Sequence, residues 1–222
     1  MGDARGGEDE SPLLDRAPLA RGAERALLLA HREPPRASGR EQRRRKGRIS
    51  GILRPMPPAP RRIEPGPGQE SVWDYPRPPR VEGCGRQLRV VFNGCVVAET
   101  TRALRVLETS QPPAYYFPPE DVRLARFFTR ARHTTLCEWK GVAYHYSIAV
   151  AGRTAENAAW FYPAPAAGYE TIADHVAFYP ARVDACYLDG ERVRAQEGDF
   201  YGGWITRDVI GPFKGGPGTE GW

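Results

Sequence analysis

The stretch Leu88-Arg89-Val90-Val91-Phe92-Asn93-Gly94-Cys95-Val96-Val97-Ala98 decides the fold class of this chain. Two apolar runs rich in valine flank the dipeptide Asn93-Gly94. This dipeptide supplies the two positive φ angles that a two-residue type I′ turn requires. The stretch therefore predicts a β-hairpin with strands at 88–92 and 95–98.

The same pattern occurs again downstream, where an apolar run at 183–188 is followed by Asp189-Gly190 and a second run at 191–194. Prolines and acidic residues that follow Pro118 predict a short helix as far as about Phe128. β-branched and aromatic residues predict further strands at 104–107, 115–117, 136–139, 143–150 and 175–179, with one helical turn at 169–173. We therefore expect a mainly β fold: a compact antiparallel β-sheet or barrel-like domain with one or two short helices.

The first third of the chain differs in composition from the rest. Residues 1–70 hold 15 Lys and Arg against 10 Asp and Glu, whereas residues 71–222 hold 17 of each sign and all 5 Trp, 10 Tyr and 8 Phe. A segment without aromatic residues and rich in Pro, Gly and charge cannot bury enough surface to offset its chain entropy. We therefore predict a disordered basic Pro/Arg-rich tail at 1–70, a β-rich domain at 71–215 and an irregular end at 216–222.

Two features of the tail bear on its role. Met56 is the only methionine after Met1 and begins a proline-rich lead into the domain, which predicts Met56 as an alternative start of translation. The basic cluster at 43–46 is either a solvated disordered run, which we favour, or a nucleic-acid or phosphate patch. Because the charge of the domain is balanced, we expect no nucleic acid to bind the domain itself.

The sequence predicts a cytoplasmic protein without a membrane partner. No segment approaches the ~20 apolar residues of a membrane helix, and the leucine run at 27–29 is too short for the core of a signal peptide. The four cysteines form no CxxC motif and are expected to be free thiols.

The segment from His133 to Gly141 carries the densest reactive chemistry. It places the base His133, the thiol Cys137, the carboxylate Glu138 and the amine Lys140 within eight residues. On a strand, Cys137 and Trp139 would face one side while Glu138 and Lys140 face the other. A buried lysine serves as a general base, a Schiff-base amine or a phosphate anchor, whereas a lysine at a strand edge only pairs with an acid. We take Lys140, Cys137, Glu138 and His133 as the catalytic candidates.

Other roles for the thiol stay open. Cys137 with His133 or His175 would form a nucleophile–base pair, Cys137 and Cys186 with a histidine would bind a metal, and a buried thiol would act as a small apolar group. No metal or cofactor is predicted. The chain has no GxGxxG opening a helix, no GxxxxGK[ST], no GxSxG and no HExxH. The sequence therefore does not support a dinucleotide dehydrogenase, a P-loop NTPase, an α/β-hydrolase or a zincin.

Short runs of aromatic residues that end in proline form a second recurring motif, at 73–76, 115–118, 160–163 and 178–180. If these segments converge, they line a cleft for a flat or sugar-like ligand; otherwise they form the core of the sheet. The ligand-binding candidates are Asp74, Tyr75, Tyr116, Trp139, Asn157, Trp160, Tyr162 and Phe178.

Several groups of residues in register resemble a known family. They are Arg102-Ala103-Leu104 with Leu107-Glu108, Tyr115-Tyr116-Phe117-Pro118, His133-Thr134-Thr135 ahead of Cys137 and Trp139-Lys140-Gly141, Glu156-Asn157-Ala158-Ala159-Trp160 with Tyr162-Pro163, and Val176-Ala177-Phe178-Tyr179. In order and spacing they look like the domain of unknown function 427 family, in its actinobacterial type, over about 71–215. Glu138 departs from the pattern, because many members have proline there.

The resemblance implies a small β-rich fold in a cytoplasmic bacterial protein with no established activity. The family also carries a nucleotidyltransferase-like label, although the sequence has no carboxylate pair at metal-binding spacing to support it. We therefore expect a domain that binds an unknown small molecule in an aromatic-lined pocket around Lys140, and we leave open whether it is an enzyme. The alternatives are a non-catalytic ligand-binding or protein-interaction module and the nucleotidyltransferase-like activity that the label implies.

Overall fold

A computed structural model describes residues 60–222 of the chain. The predicted start at Met56, the basic cluster at 43–46 and nearly all of the predicted tail lie outside the described residues. Among residues 60–222, no helix is long and apolar enough to cross a membrane.

The described residues form fifteen strands and one α-helix, with four short 3-10 helices between them. The strands are β1 (Glu70–Ser71), β2 (Arg80–Cys84), β3 (Leu88–Phe92), β4 (Cys95–Thr100), β5 (Ala103–Leu107), β6 (Ala114–Phe117), β7 (Phe128–Cys137), β8 (Gly141–Val150), β9 (Arg153–Phe161), β10 (Val176–Phe178), β11 (Ala185–Leu188), β12 (Glu191–Arg192), β13 (Arg194–Ala195), β14 (Trp204–Ile205) and β15 (Val209–Ile210). The helix α1 is Leu124–Phe127, and the 3-10 helices are Val72–Asp74, Pro119–Asp121, Glu170–Ile172 and Pro180–Arg182.

Two antiparallel sheets dominate the domain. The larger sheet has seven strands in the order β2-β5-β6-β10-β9-β8-β7, and the smaller has four in the order β12-β11-β3-β4. Two short ladders complete the fold, a parallel pair of β1 with β15 and an antiparallel pair of β13 with β14. The prediction of a mainly β fold with an antiparallel sheet is confirmed.

Both predicted hairpins are present, with β3 paired to β4 and β11 paired to β12. Their turns have positive φ at both central residues, 45° and 73° at Asn93 and Gly94, and 48° and 79° at Asp189 and Gly190. Asn, Asp and Gly tolerate these angles better than other residues, which is why these dipeptides located the turns in the sequence.

The main core lies between the two large sheets. Alternate residues of β3, Leu88, Val90 and Phe92, are buried against Tyr115 and Phe117 of β6. Because successive side chains of a strand point to opposite faces, the residue of β6 between Tyr115 and Phe117 lies on the outer face of the seven-stranded sheet.

A second buried cluster covers that outer face and consists mainly of aromatic residues. Tyr116 lies between two main-core residues of β6, and Tyr179 directly follows the core residue Phe178. Trp160 and Tyr162 join the cluster from β9 and the residues that follow it. We call this group the outer aromatic cluster, and the candidate site is built on it.

The structure corrects two local predictions. The helix predicted from Pro118 to Phe128 is interrupted at Val122, which is buried and forms a bridge to Ala98, so that only a 3-10 turn and α1 remain. The strand predicted at 136–139 ends at Cys137, because residues 138–140 form the turn into β8. The prediction that Glu138 and Lys140 face the same side is therefore wrong, since Glu138 is exposed and Lys140 buried, whereas Cys137 and Trp139 both pack against the outer aromatic cluster.

Candidate functional site

A cavity of about 340 Å³ opens on the outer aromatic cluster, beside the turn between β7 and β8. Its walls come from four parts of the chain: the end of β7 with its turn, the aromatic cluster, the residues around Arg77 and Glu108, and the segment 200–214. The lining residues are Arg77, Glu108, Gln111, Thr135, Leu136, Cys137, Glu138, Trp139, Lys140, Trp160, Tyr162, Tyr179, Phe200, Tyr201, Gly202 and Lys214.

Lys140 is buried in the wall of this cavity, with only 7% of its surface exposed. The backbone fixes its position, since its carbonyl oxygen accepts a hydrogen bond of 3.0 Å from the N–H of Ala166 and the next residue, Gly141, has a φ of 91°. Within the described part of the chain, its Nζ forms no hydrogen bond and lies within 4.0 Å of no acidic oxygen. The Nζ is nevertheless not sealed from solvent, so it is accessible from the cavity.

Trp139, the neighbour of Lys140, packs its side chain against the outer aromatic cluster. Its indole N–H is buried and finds no acceptor among residues 60–222. Buried polar atoms in folded proteins nearly always have a partner. Two adjacent residues of this turn therefore carry donors that the described protein does not satisfy.

The polar atoms of Trp160 and Tyr179 point away from the cavity. The indole N–H of Trp160 donates to the hydroxyl of Tyr116 at 3.2 Å, and the ring of Trp160 lies against that of Tyr179 with centroids 4.4 Å apart. Behind Tyr179, its hydroxyl lies 3.4 Å from Nε2 of the buried His145. These two aromatic residues therefore offer mainly ring carbons to a ligand.

Burial dominates the acid–base behaviour of the groups beneath the cavity. Desolvation raises the pKa values of Tyr116, Tyr162 and Tyr179, which keeps these hydroxyls protonated at neutral pH. The same cause lowers the pKa of His145 to about 4, so its imidazole is neutral at pH 7. These three tyrosines and His145 therefore carry no charge at neutral pH.

The other two cations of the lining already have partners. Arg77 Nη2 lies 3.7 Å from a carboxylate oxygen of Glu108 and donates to the carbonyl oxygen of Thr109 at 3.0 Å. Lys214 donates from Nζ to the carbonyl oxygen of Trp222 at 2.8 Å. Lys140 is therefore the only lining cation without a partner among residues 60–222.

Most of the predicted reactive residues lie together at the cavity. Cys137, Glu138 and Lys140 line it, with the Cys137 thiol half-buried and Glu138 exposed. His133 does not line it; its side chain is exposed, and its carbonyl oxygen faces Nδ1 of His145 at 3.4 Å. The predicted ligand-binding residues Trp139, Trp160 and Tyr162 also form part of the wall.

The remaining predicted residues lie elsewhere. Asp74 is exposed and pairs with Arg62 at 3.4 Å, while Tyr75 is buried in a separate small cluster. Phe178 belongs to the main core, and Tyr116 supports Trp160 from below without lining the cavity. Asn157 has a φ of 49° in β9, near the shift in the register with β8, so its role there is to form a bulge.

Several lining residues were not predicted from the sequence. Arg77, Glu108 and Tyr201 reach the cavity from distant parts of the chain, and of these only Glu108 lies in one of the family-like motifs, where it was given no role in the site. Gly202 was also not predicted. A β-carbon at this position would overlap the ring of Trp160, so only glycine allows the backbone to lie so close to that ring. Lys214 had one signal, because Lys140 and Lys214 are the only lysines after residue 70.

The four cysteines are free thiols. Cys186 is buried in the main core, whereas Cys137 packs against the outer aromatic cluster on the other face of the sheet, so the two cannot share a metal. Among residues 60–222, no group of three or more His, Cys, Asp and Glu side chains is placed to hold a metal ion.

Part of the chain matches a known protein family. Residues 80–189 match the model of the family described as Domain of unknown function (DUF427). The resemblance found in the sequence is thereby confirmed over this stretch, which contains Lys140 and Trp160 but not Arg77, Tyr201 or Lys214. No curated protein matches the chain.

Proposed function

We propose that this chain, whose residues 80–189 form a DUF427 domain, binds a small molecule in the cavity around Lys140. The observation that carries the proposal is that Lys140 is a buried residue whose ammonium group faces the cavity and has no partner among residues 60–222. Removing an ion from water costs several kcal/mol unless an opposite charge or hydrogen bonds compensate for it. A ligand that supplies such a partner would recover that cost on binding.

The shape and composition of the cavity also support a ligand. Its volume of about 340 Å³ falls within the range of about 300–1,000 Å³ that is usual for small-molecule sites. Such sites combine aromatic walls with a few polar groups, as Trp160, Tyr179 and Lys140 do here. The exposed side chains of Leu136 and Phe200 add apolar surface to the lining.

A purely structural role for Lys140 is the competing explanation. Lysine often buries its aliphatic stem and keeps its ammonium group in water, and such a residue stabilises the fold through its stem. The two explanations differ in what the ammonium group does to the stability of the ligand-free protein. An unpaired, partly desolvated charge destabilises it, whereas a solvated charge has little effect.

The substitution Lys140→Met tests the proposal, because methionine keeps most of the stem and removes the charge. We expect the ligand-free Lys140→Met protein to be about 1 kcal/mol more stable, which for a domain of this size raises the Tm by about 2–4 °C. A thermal-shift screen of nucleotides, sugars, cofactors and organic acids should identify compounds that stabilise the natural protein but not Lys140→Met.

Lys46→Met is the matched control, since it removes the same charge outside the described residues. It should leave both the Tm and the ligand response unchanged. A Lys140→Met protein that is less stable than the natural one, together with a screen that yields no stabilising compound, would overturn the proposal. The apolar side chains of Leu136 and Phe200 would then favour the second candidate, a protein-interaction module.

A further inference from the structure

The charge of the cavity restricts the class of ligand, on the premise of the proposed function that a small molecule binds there. Arg77 is paired with Glu108, and the half-buried Lys214 donates to a carbonyl oxygen, so Lys140 is the one buried cation of the described lining whose ammonium group has no partner. Glu138 is exposed to water and forms no ion pair with another residue of 60–222. One negative charge on the ligand therefore neutralises the buried part of the site.

A second polar group lies in the same wall. Tyr162 is 4% exposed, and its hydroxyl lies near the Cys137 thiol and the Tyr116 hydroxyl. The Tyr162 hydroxyl is not sealed from the cavity, and burial keeps it protonated. An ammonium group and a neutral O–H donor suit the two oxygens of a carboxylate.

The aromatic wall determines the rest of the ligand. The indole N–H of Trp160 contacts the hydroxyl of Tyr116, and the hydroxyl of Tyr179 contacts His145. The two residues therefore present ring surface to a ligand in the cavity. Ring surface favours flat, apolar groups through offset or edge-to-face contacts. The volume of about 340 Å³ is near the small end of the usual range, so the ligand is small.

The geometry points to a small, flat organic monoanion as the ligand, of the class of aromatic carboxylates. A nucleoside triphosphate fits this cavity less well, because proteins stabilise its several negative charges with multiple cations and bound Mg²⁺. The described lining offers a single buried cation without a partner, Lys140. The ligand class thus differs from the one that a nucleotidyltransferase would need.

Isothermal titration of the full chain with matched probes tests the ligand class. The probes are 2-naphthoate, its neutral analogue 2-naphthamide, the flexible carboxylate octanoate, and ATP with Mg²⁺. We expect 2-naphthoate to bind about 10- to 100-fold more tightly than 2-naphthamide, because a hydrogen bond to a charged group contributes about 1.5–3 kcal/mol. Octanoate should bind more weakly than 2-naphthoate, since it lacks a flat ring, and ATP should bind more weakly still.

Variants assign the binding to the proposed groups. Lys140→Met should lower the affinity for 2-naphthoate to that for 2-naphthamide, while Tyr162→Phe should lower it by about 10-fold, the lower end of the effect of one hydrogen bond to a charged group. Lys46→Met should leave the affinity unchanged. Both site variants keep most of the original side-chain volume, and circular dichroism verifies that they fold.

Three results would overturn this ligand class: equal affinity for 2-naphthoate and 2-naphthamide, tighter binding of ATP, or no binding of any probe. None of them decides the proposed function, which depends on the stability of Lys140→Met and on the broad screen. A sugar or nucleotide that stabilises the natural protein but not Lys140→Met would uphold the proposed function and refute the ligand class.

Discussion

The Nε2 atom of His145 lies 3.4 Å from the hydroxyl oxygen of Tyr179, and both groups are buried. On the other side of the ring, Nδ1 of His145 lies 3.4 Å from the carbonyl oxygen of His133, which can only accept. Nδ1 therefore carries the proton, and Nε2 accepts the O–H of Tyr179. This pair fixes the ring of Tyr179 in the wall of the cavity.

His145 makes the stability of the fold depend on pH. Burial lowers its pKa from 6.5 to about 4, so between these values the unfolded chain takes up a proton that the folded protein does not. Stability should fall as the pH falls through this window, by at most about 1.4 kcal/mol per pH unit. In His145→Gln this part of the dependence should disappear, which urea unfolding at pH 7, 6 and 5 measures.

The ring of His133 lies 4.7 Å from that of His145, so His133 is left unchanged and the test substitutes His145 alone. If His145→Gln retained the full loss of stability between pH 7 and pH 5, the dependence would arise elsewhere in the chain.

Gly202 should tolerate no side chain, because a β-carbon there would overlap the six-membered ring of Trp160. Inserting a methyl group into a packed contact typically costs about 1–3 kcal/mol. We expect Gly202→Ala to lower the free energy of unfolding by this amount in chemical denaturation. Gly83→Ala is the control, since a β-carbon at Gly83 meets no atom within 4 Å. Equal effects at the two sites would contradict the close contact.

The parts of the fold that the sequence predicted are those set by local chemistry. Asn93-Gly94 and Asp189-Gly190 determine turns through backbone angles that few other residues adopt, so both hairpins could be located. Strand β9 was missed because its middle, around Asn157, contains alanines and a bulge in place of a regular β-branched pattern. Val122 interrupts the predicted helix through a bridge to a distant strand, which no local signal shows.

The candidate site was predictable only in its local part. Lys140 was selected as a candidate because lysine is rare in a chain that uses arginine, and its neighbours Cys137 and Trp139 were selected because they are close to it in the sequence. Its burial depends on the turn after β7, which the sequence analysis took for a strand. Arg77 and Lys214 belong to the site only through long-range packing, which a single sequence does not reveal.

Glu70 begins strand β1 and joins it to two distant parts of the described chain. Its Oε1 accepts a hydrogen bond of 2.5 Å from Nη1 of Arg105, and its N–H donates to the carbonyl oxygen of Asp208 at 2.8 Å. Both side chains are partly exposed, so we expect Glu70→Gln to cost only about 1 kcal/mol of unfolding free energy. Glu64→Gln, at an exposed position, should cost nothing measurable in the same denaturation experiment.

Cys137 should report on occupation of the cavity through its rate of alkylation. Its half-buried thiol lines the cavity, whereas Cys186 lies in the main core, where burial raises the pKa of its thiol. Because the thiolate is the reactive form, iodoacetamide should modify Cys137 in the folded protein and leave Cys186 unmodified. Saturating 2-naphthoate should slow the reaction at Cys137, which peptide mass spectrometry follows over time.

Cys95 is the control for this experiment. It is half-buried and lies in β4, away from the cavity, so its rate of alkylation should not change. Protection of both thiols would indicate a general tightening of the fold, and protection of neither would place the ligand outside the cavity.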